Sequence, residues 1–277
     1  SPDCGEVTAA SRWRDQLEAW ALPDELLSRA EESPYGWSQD LWKRRSSIAA
    51  ETEPSETVNI VTDLMPRRGT LLDIGVGRGR ASLPIAEAGF RLIGVDESLE
   101  MLAGFNEDAR RRSMNVEAFE GKWPDIASQV RIADVVMAAN VAYNVADIVP
   151  FIQAMIDHAR LAVVLEITDR HPWAHLAPLY QKVHDLDRPD GPSADDLVAV
   201  IVEMTGHAPI VHRWERQGHV WYESWDELLD HYGRRLVVPK TERHALRPLL
   251  EPDVITEDGR LRVSDAPTQF ATIVIHR

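Results

Sequence analysis

Apolar residues near the start of the sequence recur at the spacing of an α-helix. Trp13, Leu17 and Trp20 lie three or four positions apart, which puts them on one face of a helix. Pro23 ends this pattern, because proline cannot donate the backbone hydrogen bond that a helix interior needs. The pattern predicts helices in this region, and we expect residues 1–65 to form a helical extension.

A loop divides this extension. Residues 33–38 read SPYGWS, and Gly, Pro and Ser are typical of turns. Helical patterns resume over 39–51 and 55–65. Ser55 is expected to be an N-cap, since its side chain can accept a hydrogen bond from a free backbone N–H of the first turn.

The hydrophobic pattern changes at residue 70. Short apolar runs, typical of strands buried on both faces, now alternate with helical segments. This alternation is typical of βαβ units and predicts an α/β fold with a doubly wound, mostly parallel sheet. The predicted strands are 70–76, 91–96, 116–121, 132–140 and 161–167, and the predicted helices are 81–89, 98–105 and 147–160.

The simple alternation ends after residue 170. Pro172 suits the first turn of a helix, and Ser193 with Asp196 resembles a capping box at the start of another helix. We therefore expect a helical insert at about 171–206, within one α/β domain that spans 66–277.

The last part of the chain returns to mixed elements. An apolar run at 209–217 predicts a strand, and a second apolar run at 269–277 predicts another. Between them, Ser224 and Glu227 resemble a second capping box, and Gly233 is expected to end the helix that follows. Pro84, earlier in the chain, is expected about one turn inside its helix, where it would cost a backbone hydrogen bond.

Composition and charge narrow the function. The formal net charge is −15, which argues against a nucleic-acid partner, because such binding draws on Lys and Arg. Cys4 is the only cysteine, so an intrachain disulfide is excluded and a cysteine metal site is not expected. No segment approaches the roughly 20 apolar residues of a membrane span, and the start lacks the pattern of a signal peptide. We therefore expect a cytoplasmic location and no membrane partner.

A glycine-rich loop lies between the first predicted strand and the helix after it. It spans 73–79 and reads DIGVGRG. Glycine tolerates positive φ and leaves room for a ligand close to the backbone. Ligands of parallel α/β sheets bind beyond the carboxyl ends of the strands, so we expect a cofactor at this loop.

A second acidic residue, Asp96, ends the next strand, about 20 residues further on. Its carboxylate can accept both ribose hydroxyls of an adenosine, which fits either a dinucleotide or S-adenosylmethionine. Arg80 stands at the third glycine position of the dinucleotide motif. Asp73, before the first glycine, would repel a pyrophosphate but attract the ammonium of a methionine group. Both details favour S-adenosylmethionine.

These segments resemble a known family. LLDIGVGRGR and LIGVDESLEML are similar to the first two motifs of the class I S-adenosylmethionine-dependent methyltransferases. The resemblance extends over roughly residues 65–170, about the length of one such core. It implies an enzyme with an S-adenosylmethionine cofactor and a seven-stranded sheet whose final strand is antiparallel, a place that 269–277 can fill.

The resemblance also implies roles by position. Asp73, Gly75 and Gly77 would hold the methionine part of the cofactor. Asp96 would bind its ribose, and Asn140, just past the fourth strand, would face the methyl group. The residues implied to contact the adenine are Ser98 and Met101 at its faces and Gly121, Lys122 and Trp123 at its edge.

An aromatic and basic run precedes the predicted core. In related folds an N-terminal segment closes over the cofactor, so Arg45 is expected to meet the cofactor carboxylate in a bidentate pair. The alternative is that the tryptophans of the run only pack the extension onto the core. The run consists of Tyr35, Trp37, Trp42, Lys43, Arg44 and Arg45.

Two residues are candidates for catalysis. Tyr143 closes the segment that starts at Asn140, which resembles the N-P-P-Y motif of amino-methylating enzymes but lacks both prolines. The alternative is a helix start with Tyr143 packing over the cofactor. His171 follows the fifth strand and could take a proton from a substrate hydroxyl, because the pKa of histidine lies near neutrality. The alternative is an N-cap or a solvated loop histidine.

Other side chains have less specific patterns. Glu166 and Asp169 are two nearby acids without an evident third ligand, so we expect no metal site. Four aromatic residues are candidates for a substrate pocket, although most buried aromatics belong to the core. They are Trp173, Tyr180, His184 and Trp214.

We expect the acceptor to be a small molecule with an O or N nucleophile. The acidic charge and an insert that could cover a small pocket favour this hypothesis. A non-catalytic S-adenosylmethionine-binding protein is one alternative. An RNA or protein methyltransferase is the other, and it would use a basic face formed by Lys43, Arg44, Arg45, Arg67 and Arg68.

Overall fold

The computed structural model describes residues 6–36, 38, 41, 55–218, 220–264 and 266–277, and it has a β-sheet at its centre. The strands are β1 (Thr70–Ile74), β2 (Arg91–Asp96), β3 (Val116–Glu120), β4 (Ala133–Ala139), β5 (Ala159–Thr168), β6 (Ile210–Arg216), β7 (Val254–Glu257), β8 (Arg260–Val263) and β9 (Thr268–His276). Seven of them form the central sheet, in the order β3-β2-β1-β4-β5-β9-β6. β1 to β5 pair in parallel, whereas β9 is antiparallel to both β5 and β6. The predicted seven-stranded, mostly parallel sheet is confirmed.

Helices cover both faces of this sheet. The α-helices are α1 (Ala9–Glu18), α2 (Asp24–Leu27), α3 (Glu56–Leu64), α4 (Leu83–Ala86), α5 (Leu99–Arg111), α6 (Ile148–His158), α7 (Ala177–His184), α8 (Ala194–Thr205), α9 (Trp225–Arg235) and α10 (Arg247–Leu250). One hydrophobic core contains buried residues of α1, α6 and α8 against the sheet, and the other contains residues of α3, α4 and α5. The strands read as nearly continuous apolar runs because both of their faces are buried.

A third apolar cluster lies outside the two faces of the sheet. It joins Leu22 and Leu26, near the start of the chain, to Tyr180 of α7 and to Leu228 of α9. The hairpin of β7 and β8, which the sequence did not predict, adds Leu261 to this cluster. Residues close to the amino terminus are therefore packed against residues from the second half of the chain.

Three expectations about helices were wrong in position. Pro84 lies in the first turn of α4, which begins at Leu83, so its missing N–H costs no helix bond. Gly233 lies inside α9 and does not end it, and a Cβ there would be 2.4 Å from Cδ of Arg243. Pro172 precedes a 3-10 turn at Ala174–Leu176, and the helix α7 starts only after that turn.

The capping predictions have mixed outcomes. Ser193 and Asp196 form the complete, reciprocal capping box at the start of α8. Ser224 accepts from the backbone N–H of Glu227, but the Glu227 carboxylate accepts from the preceding residue, Glu223, so only half of the second box forms. Ser55 is the N-cap residue of α3, without a side-chain hydrogen bond to the helix.

Two further observations concern the chain outside the sheet. The helix predicted over 39–51 lies outside the described residues, apart from position 41. In the part of the chain that is described, no helix combines the length and the apolar character that crossing a bilayer would require.

Candidate functional site

The glycine loop makes a tight bend between β1 and α4. The backbone N–H groups of Gly75 and Val76 both donate to the carbonyl of Val95, at 2.8 and 3.0 Å, which ties the loop to the end of β2. Gly75 and Gly77 have φ values of 70° and 54°, a region that favours glycine. A Cβ at Gly77 would meet no atom within 4 Å, so the loop leaves open space there beside its backbone.

Asp96 holds the loop and the next helix together. Its Oδ2 accepts from the N–H of Gly77 at 2.8 Å, and its Oδ1 accepts from the N–H of Ser98 at 2.9 Å. The Ser98 hydroxyl in turn caps α5 by accepting from the N–H of Met101 at 3.2 Å. A carboxylate has about four acceptor positions, so Asp96 retains capacity for two further donors, such as the hydroxyls of a ribose.

Asp73 is a buried carboxyl group near the end of β1. Its side chain is almost fully buried, and burial raises its pKa from 3.8 to about 7. The negative charges of Asp96 and Glu166 contribute to this rise of the pKa, whereas the polar contact with Ser82 acts in the opposite direction. No cationic side chain of the described residues stabilises its charge. A bound cation would therefore favour the ionised form of Asp73.

Asn140 follows β4 and has a left-handed backbone, with a φ of 59°. Its amide Nδ2 donates to Oε2 of Glu166 at 2.7 Å, and its backbone N–H donates to the Glu166 carbonyl at 2.9 Å. The other carboxylate oxygen of Glu166 accepts from the Thr57 hydroxyl at 2.6 Å, and Thr57 also bonds to Thr272 at 2.7 Å. Glu166 and Thr57 thus fix the orientation of the Asn140 side chain.

Sequence reasoning did not predict this buried polar network. Glu166 was considered only as a metal ligand, although it is a single acidic residue within the apolar run of β5. An isolated acidic residue in a buried strand could have indicated such a network, because a buried carboxylate requires hydrogen-bond partners. Thr57 and Thr272 gave no signal, since they come from α3 and β9, far away in the sequence.

The structure brings together several residues of the predicted cofactor site. Gly77 and Asp96 are hydrogen bonded, the charges of Asp96 and Asp73 interact, and a Cβ at Gly75 would lie 2.6 Å from the Val141 side chain. We call Asp73, Gly75, Gly77, Asp96 and Asn140 the strand-end cluster.

The predicted adenine-edge residues have different environments. Gly121 has a φ of 151°, and its N–H donates to the Asp96 carbonyl at 3.0 Å, which places its backbone beside the strand-end cluster. Lys122 is exposed. The Trp123 indole is buried in the core, where its Nε1 donates to the carbonyl of Phe151 at 3.2 Å. Because that ring is used in packing, only the backbone of Trp123 is available at an adenine edge.

An aromatic cleft of about 390 Å³ follows the strand-end cluster along the carboxyl edge of the sheet. We define the aromatic cleft by the five rings that line it, which come from four separate segments of the chain. Asn144 and Ala146, which follow Asn140 closely in the sequence, also line it. The five rings are those of Trp20, Tyr35, Tyr143, His171 and Trp173.

His171 has a fixed orientation in this cleft. Its ring stacks on Trp20 with centroids 4.1 Å apart, and its Nδ1 accepts from the backbone N–H of Trp173 at 3.1 Å. Burial, together with the positive charge of Arg188, lowers its pKa to about 4. His171 is therefore neutral at pH 7, with its proton on Nε2. In this arrangement it is a hydrogen-bond donor, since the lone pair of Nδ1 is already engaged.

Tyr143 also has its polar group engaged. Its hydroxyl donates to the carbonyl of Thr168 at 2.7 Å, and burial raises the pKa of the phenol. Its ring stacks on Trp13 of α1 with centroids 5.7 Å apart. Tyr143 thus forms a wall of the cleft as a neutral phenol.

Most of the remaining candidates lie outside the cleft. Tyr180 donates to the Arg235 carbonyl, and His184 bonds to the Leu236 carbonyl, so both contribute to packing below the cleft. Trp214 stacks on Phe270 across β6 and β9. Of the four pocket candidates, Trp173 lines the cleft. Most of the basic and aromatic run lies outside the described residues, namely Trp37, Trp42, Lys43, Arg44 and Arg45.

The two acids weighed as metal ligands have other partners. Asp169 forms an ion pair with Arg213 at 3.3 Å, and Glu166 belongs to the polar network. Within the described ranges, no group of three or more His, Cys, Asp or Glu side chains is placed to hold a metal ion.

Comparisons with known proteins address the family directly. Residues 71–161 match the model of a methyltransferase domain. A candidate methyltransferase from Bacillus halodurans C-125 is similar in structure, with a TM-score of 0.53 and 13% identity over 80% of this chain and 98% of that chain. Magnesium protoporphyrin IX methyltransferase (ChlM) from Synechocystis PCC 6803, solved with bound SAH, has a TM-score of 0.49 and 13% identity over 85% and 93% of the two chains. A search of curated protein sequences finds no match.

The match and the fold agree with the motifs. The matched segment contains the glycine loop, β2 with Asp96 at its end, and β4, and it stops within β5. The seven strands of the sheet and the antiparallel β9 are those that the resemblance implied. The chain therefore contains a methyltransferase domain over residues 71–161, within a sheet of the kind that the resemblance to the class I S-adenosylmethionine-dependent methyltransferases implied.

Proposed function

We propose that this methyltransferase acts on a small molecule, which binds in the aromatic cleft and accepts the methyl group on an O or N atom. The observation that carries the proposal is the size and position of the cleft. Its volume of about 390 Å³ is within the range of small-ligand pockets. Asn144 and Ala146 line the cleft a few residues after Asn140 of the strand-end cluster.

The strand-end cluster fits the cofactor that the family uses. S-adenosylmethionine supplies, when bound, a methyl group that its sulfonium makes electrophilic. Asp96 has free acceptor positions for two hydroxyls, and Asp73 is a buried carboxyl group that no cationic side chain of the described residues neutralises. We assign the ribose to Asp96 and the methionine ammonium to Asp73. Gly75 and Gly77 would let the ligand approach the backbone.

The protein's own contribution to the reaction is mainly positional. Asn140 is held by Glu166 and presents its remaining amide oxygen near the end of β4, where it can orient an acceptor or the cofactor. His171 can donate a hydrogen bond from Nε2 to an acceptor molecule. Since His171 is neutral with Nδ1 engaged, we propose it as an orienting donor and not as a general base.

The alternative of an RNA or protein acceptor finds less support. Arg67 and Arg68 precede β1, so they lie at the amino end of the strand, opposite to the strand-end cluster. They cannot form one basic face with the opening of the aromatic cleft. The chain also has a net charge of −15, which opposes the approach of a polyanion.

The test is a transfer assay with methyl-labelled S-adenosylmethionine. The purified chain is incubated separately with a small-molecule extract, with total RNA and with a protein extract, and labelled products are separated by size. We expect label in the small-molecule fraction. Label in RNA or protein would contradict the acceptor class, and binding of S-adenosylhomocysteine without any labelled product would favour a non-catalytic binding protein.

A further inference from the structure

Four of the five rings of the aromatic cleft form two stacked pairs, and the fifth, Tyr143, meets His171 edge-on. Trp20 and His171 have an interplanar angle of 8° and a centroid distance of 4.1 Å. Tyr35 and Trp173 have an interplanar angle of 28° and a centroid distance of 5.1 Å. Flat faces in parallel orientation suit a flat ligand, because offset stacking gains more than contact with an aliphatic group of the same area.

Positive charge lies next to both stacks. The guanidinium of Arg188 is 5.2 Å from the centroid of the Trp20 ring, and that of Arg235 is 5.6 Å from the centroid of the Trp173 ring. Within the described chain, Arg188 bonds to the backbone carbonyl of Trp20 and forms no ion pair that would neutralise it. The two guanidinium groups already lie close to the electron-rich faces of these rings, so a cationic ligand bound at the same rings would be repelled.

The lining of the cleft also includes one negative charge. Glu18 is the acidic residue that lines it, and its side chain is exposed to solvent. Exposed charges interact weakly, because solvent screens them. The lining of the cleft is therefore mainly aromatic, and the positive charges nearest to its rings are those of Arg188 and Arg235, which pack against Trp20 and Trp173 without lining the cleft themselves.

We propose that the acceptor of this enzyme is a planar aromatic molecule without positive charge, bound by extension of these ring stacks. The proposal rests on the proposed function, since it names the substrate class of the same cleft. His171 supplies one directional contact, because its Nε2–H is a donor to an oxygen or an unprotonated nitrogen of the ligand. The volume of about 390 Å³ suits one or two fused rings with small substituents.

Tyr35 provides a suitable test position. Its side chain stacks on Trp173 but is 54% exposed, so its removal leaves the core unchanged. Tyr35→Phe keeps the ring and is the matched control for Tyr35→Ala. Trp20 is a poorer choice, because it is 7% exposed and its Nε1 donates to the carbonyl of Gly191 at 2.8 Å.

The experiment compares the binding of four probes by calorimetry, with and without S-adenosylhomocysteine. The probes are 2-naphthoate, 2-naphthol, decahydro-2-naphthoate as the saturated counterpart, and choline as an aliphatic cation. We expect the two naphthalene compounds to bind about tenfold more tightly than the saturated acid, and choline to bind more weakly than any of them. Tyr35→Ala should weaken the binding of 2-naphthoate about three- to tenfold, whereas Tyr35→Phe should bind it like the wild type.

Three results would overturn the proposal. The first is that choline or the saturated acid binds as tightly as the naphthalene compounds. The second is that no naphthalene compound binds at millimolar concentration. The third is an unchanged affinity of Tyr35→Ala for 2-naphthoate. The binding of S-adenosylhomocysteine is read separately, so a chain that binds it and methylates a non-aromatic small molecule would refute this inference and leave the proposed function intact.

Discussion

Asp96 is the residue on which the assignment of the ribose depends. Its carboxylate bonds two backbone N–H groups and retains acceptor positions toward the open space beside Gly77. We expect Asp96→Ala to weaken the binding of S-adenosylhomocysteine by about 1–3 kcal/mol, through the loss of charge-assisted hydrogen bonds. Calorimetric titration measures this effect directly.

The neighbouring residue provides the control for this substitution. Glu97 carries the same charge but is exposed. Glu97→Ala should therefore leave the affinity for S-adenosylhomocysteine close to that of the wild type. Equal affinities of Asp96→Ala and Glu97→Ala would remove Asp96 from the binding site, provided that both variants have the wild-type circular dichroism spectrum.

Asp73 gives the site a pH dependence. Burial raises its pKa to about 7, so it is largely protonated below that pH, whereas the assigned methionine ammonium favours its ionised form. Binding of S-adenosylhomocysteine below pH 7 should therefore release a proton, and the affinity should fall by up to about tenfold per pH unit on the acid side. Titrations in two buffers with different ionisation enthalpies would count the proton released.

The same shift predicts an effect on stability with a definite sign. The pKa of Asp73 lies above its ordinary value of 3.8, so the ligand-free fold loses stability as pH rises from about 4 to 7. Asp73→Asn should raise the free energy of unfolding by about 2–4 kcal/mol at pH 8, with little change at pH 4. It should also abolish the pH dependence of cofactor binding. A variant that is less stable than the wild type at pH 8 would contradict this account.

His171 should titrate far below neutrality. Its pKa is lowered to about 4, because burial and Arg188 disfavour the charged ring. The sign is opposite to that of Asp73: the fold loses stability as pH falls from about 6.5 to 4, because the unfolded chain takes up the proton first. His171→Phe should lessen this acid sensitivity, as shown by denaturation curves at pH 7 and pH 5. A His171 ring that gains its proton near pH 6.5 in an NMR titration would refute the prediction and restore a role as a general base.

Among the elements, the glycine loop allows a comparison of two matched substitutions. Gly75 and Gly77 both have positive φ, but a Cβ at Gly75 would lie 2.6 Å from the Val141 side chain, whereas a Cβ at Gly77 would meet nothing within 4 Å. Gly77→Ala should therefore cost about 1–2 kcal/mol of backbone strain, and Gly75→Ala more. Thermal unfolding measures the difference between the two variants.

Gly77→Ala, the substitution with the smaller expected loss of stability, should nevertheless impair ligand binding. The added Cβ of Gly77→Ala enters the space that we assign to the cofactor, so its affinity for S-adenosylhomocysteine should fall by more than its modest loss of stability accounts for. Wild-type affinity in a folded Gly77→Ala variant would show that the cofactor does not approach the loop at this residue.

The elements that could be predicted were those with local signals. The buried strands, the glycine loop and the capping box of Ser193 each follow from residues close together in the sequence. The burial of the Trp123 ring could not be predicted, because its partner is the Phe151 carbonyl of α6, which no local pattern specifies. The polar network of Glu166 was missed for the same reason, since its partners come from distant elements.

The aromatic cleft could be predicted only in part. His171 was identified as a candidate from its position after β5 and Trp173 as one of four aromatic pocket candidates, but Trp20 was identified only as a residue on a helix face. Its position beside His171 depends on the packing of the amino-terminal residues against the second half of the chain. Contacts of this kind arise from tertiary structure, which hydrophobic periodicity does not encode.

At the scale of the whole molecule, α1 shares the main core with the sheet. Trp13 of α1 is fully buried, its Nε1 donates to the Val145 carbonyl at 2.9 Å, and its ring stacks on Tyr143 of the aromatic cleft. The division into a helical extension over 1–65 and a domain over 66–277 stays a prediction. We expect the two parts to unfold together, since their side chains contribute to one hydrophobic cluster.

Substitution of Trp13 tests whether α1 belongs to the cooperative unit. Trp13→Ala should lower the free energy of unfolding by about 3–5 kcal/mol, because it leaves a large cavity in the core. Trp13→Phe keeps a ring against Tyr143 and should lose less, and Arg12→Ala, at an exposed position, should stay within about 0.5 kcal/mol of the wild type. If α1 is integral, all variants show one transition in urea and Trp13→Ala shifts the whole curve. If α1 melted separately and the main transition did not move, the cleft would have a wall that opens independently of the sheet, and its rings would not be held in the stacks on which the aromatic acceptor depends.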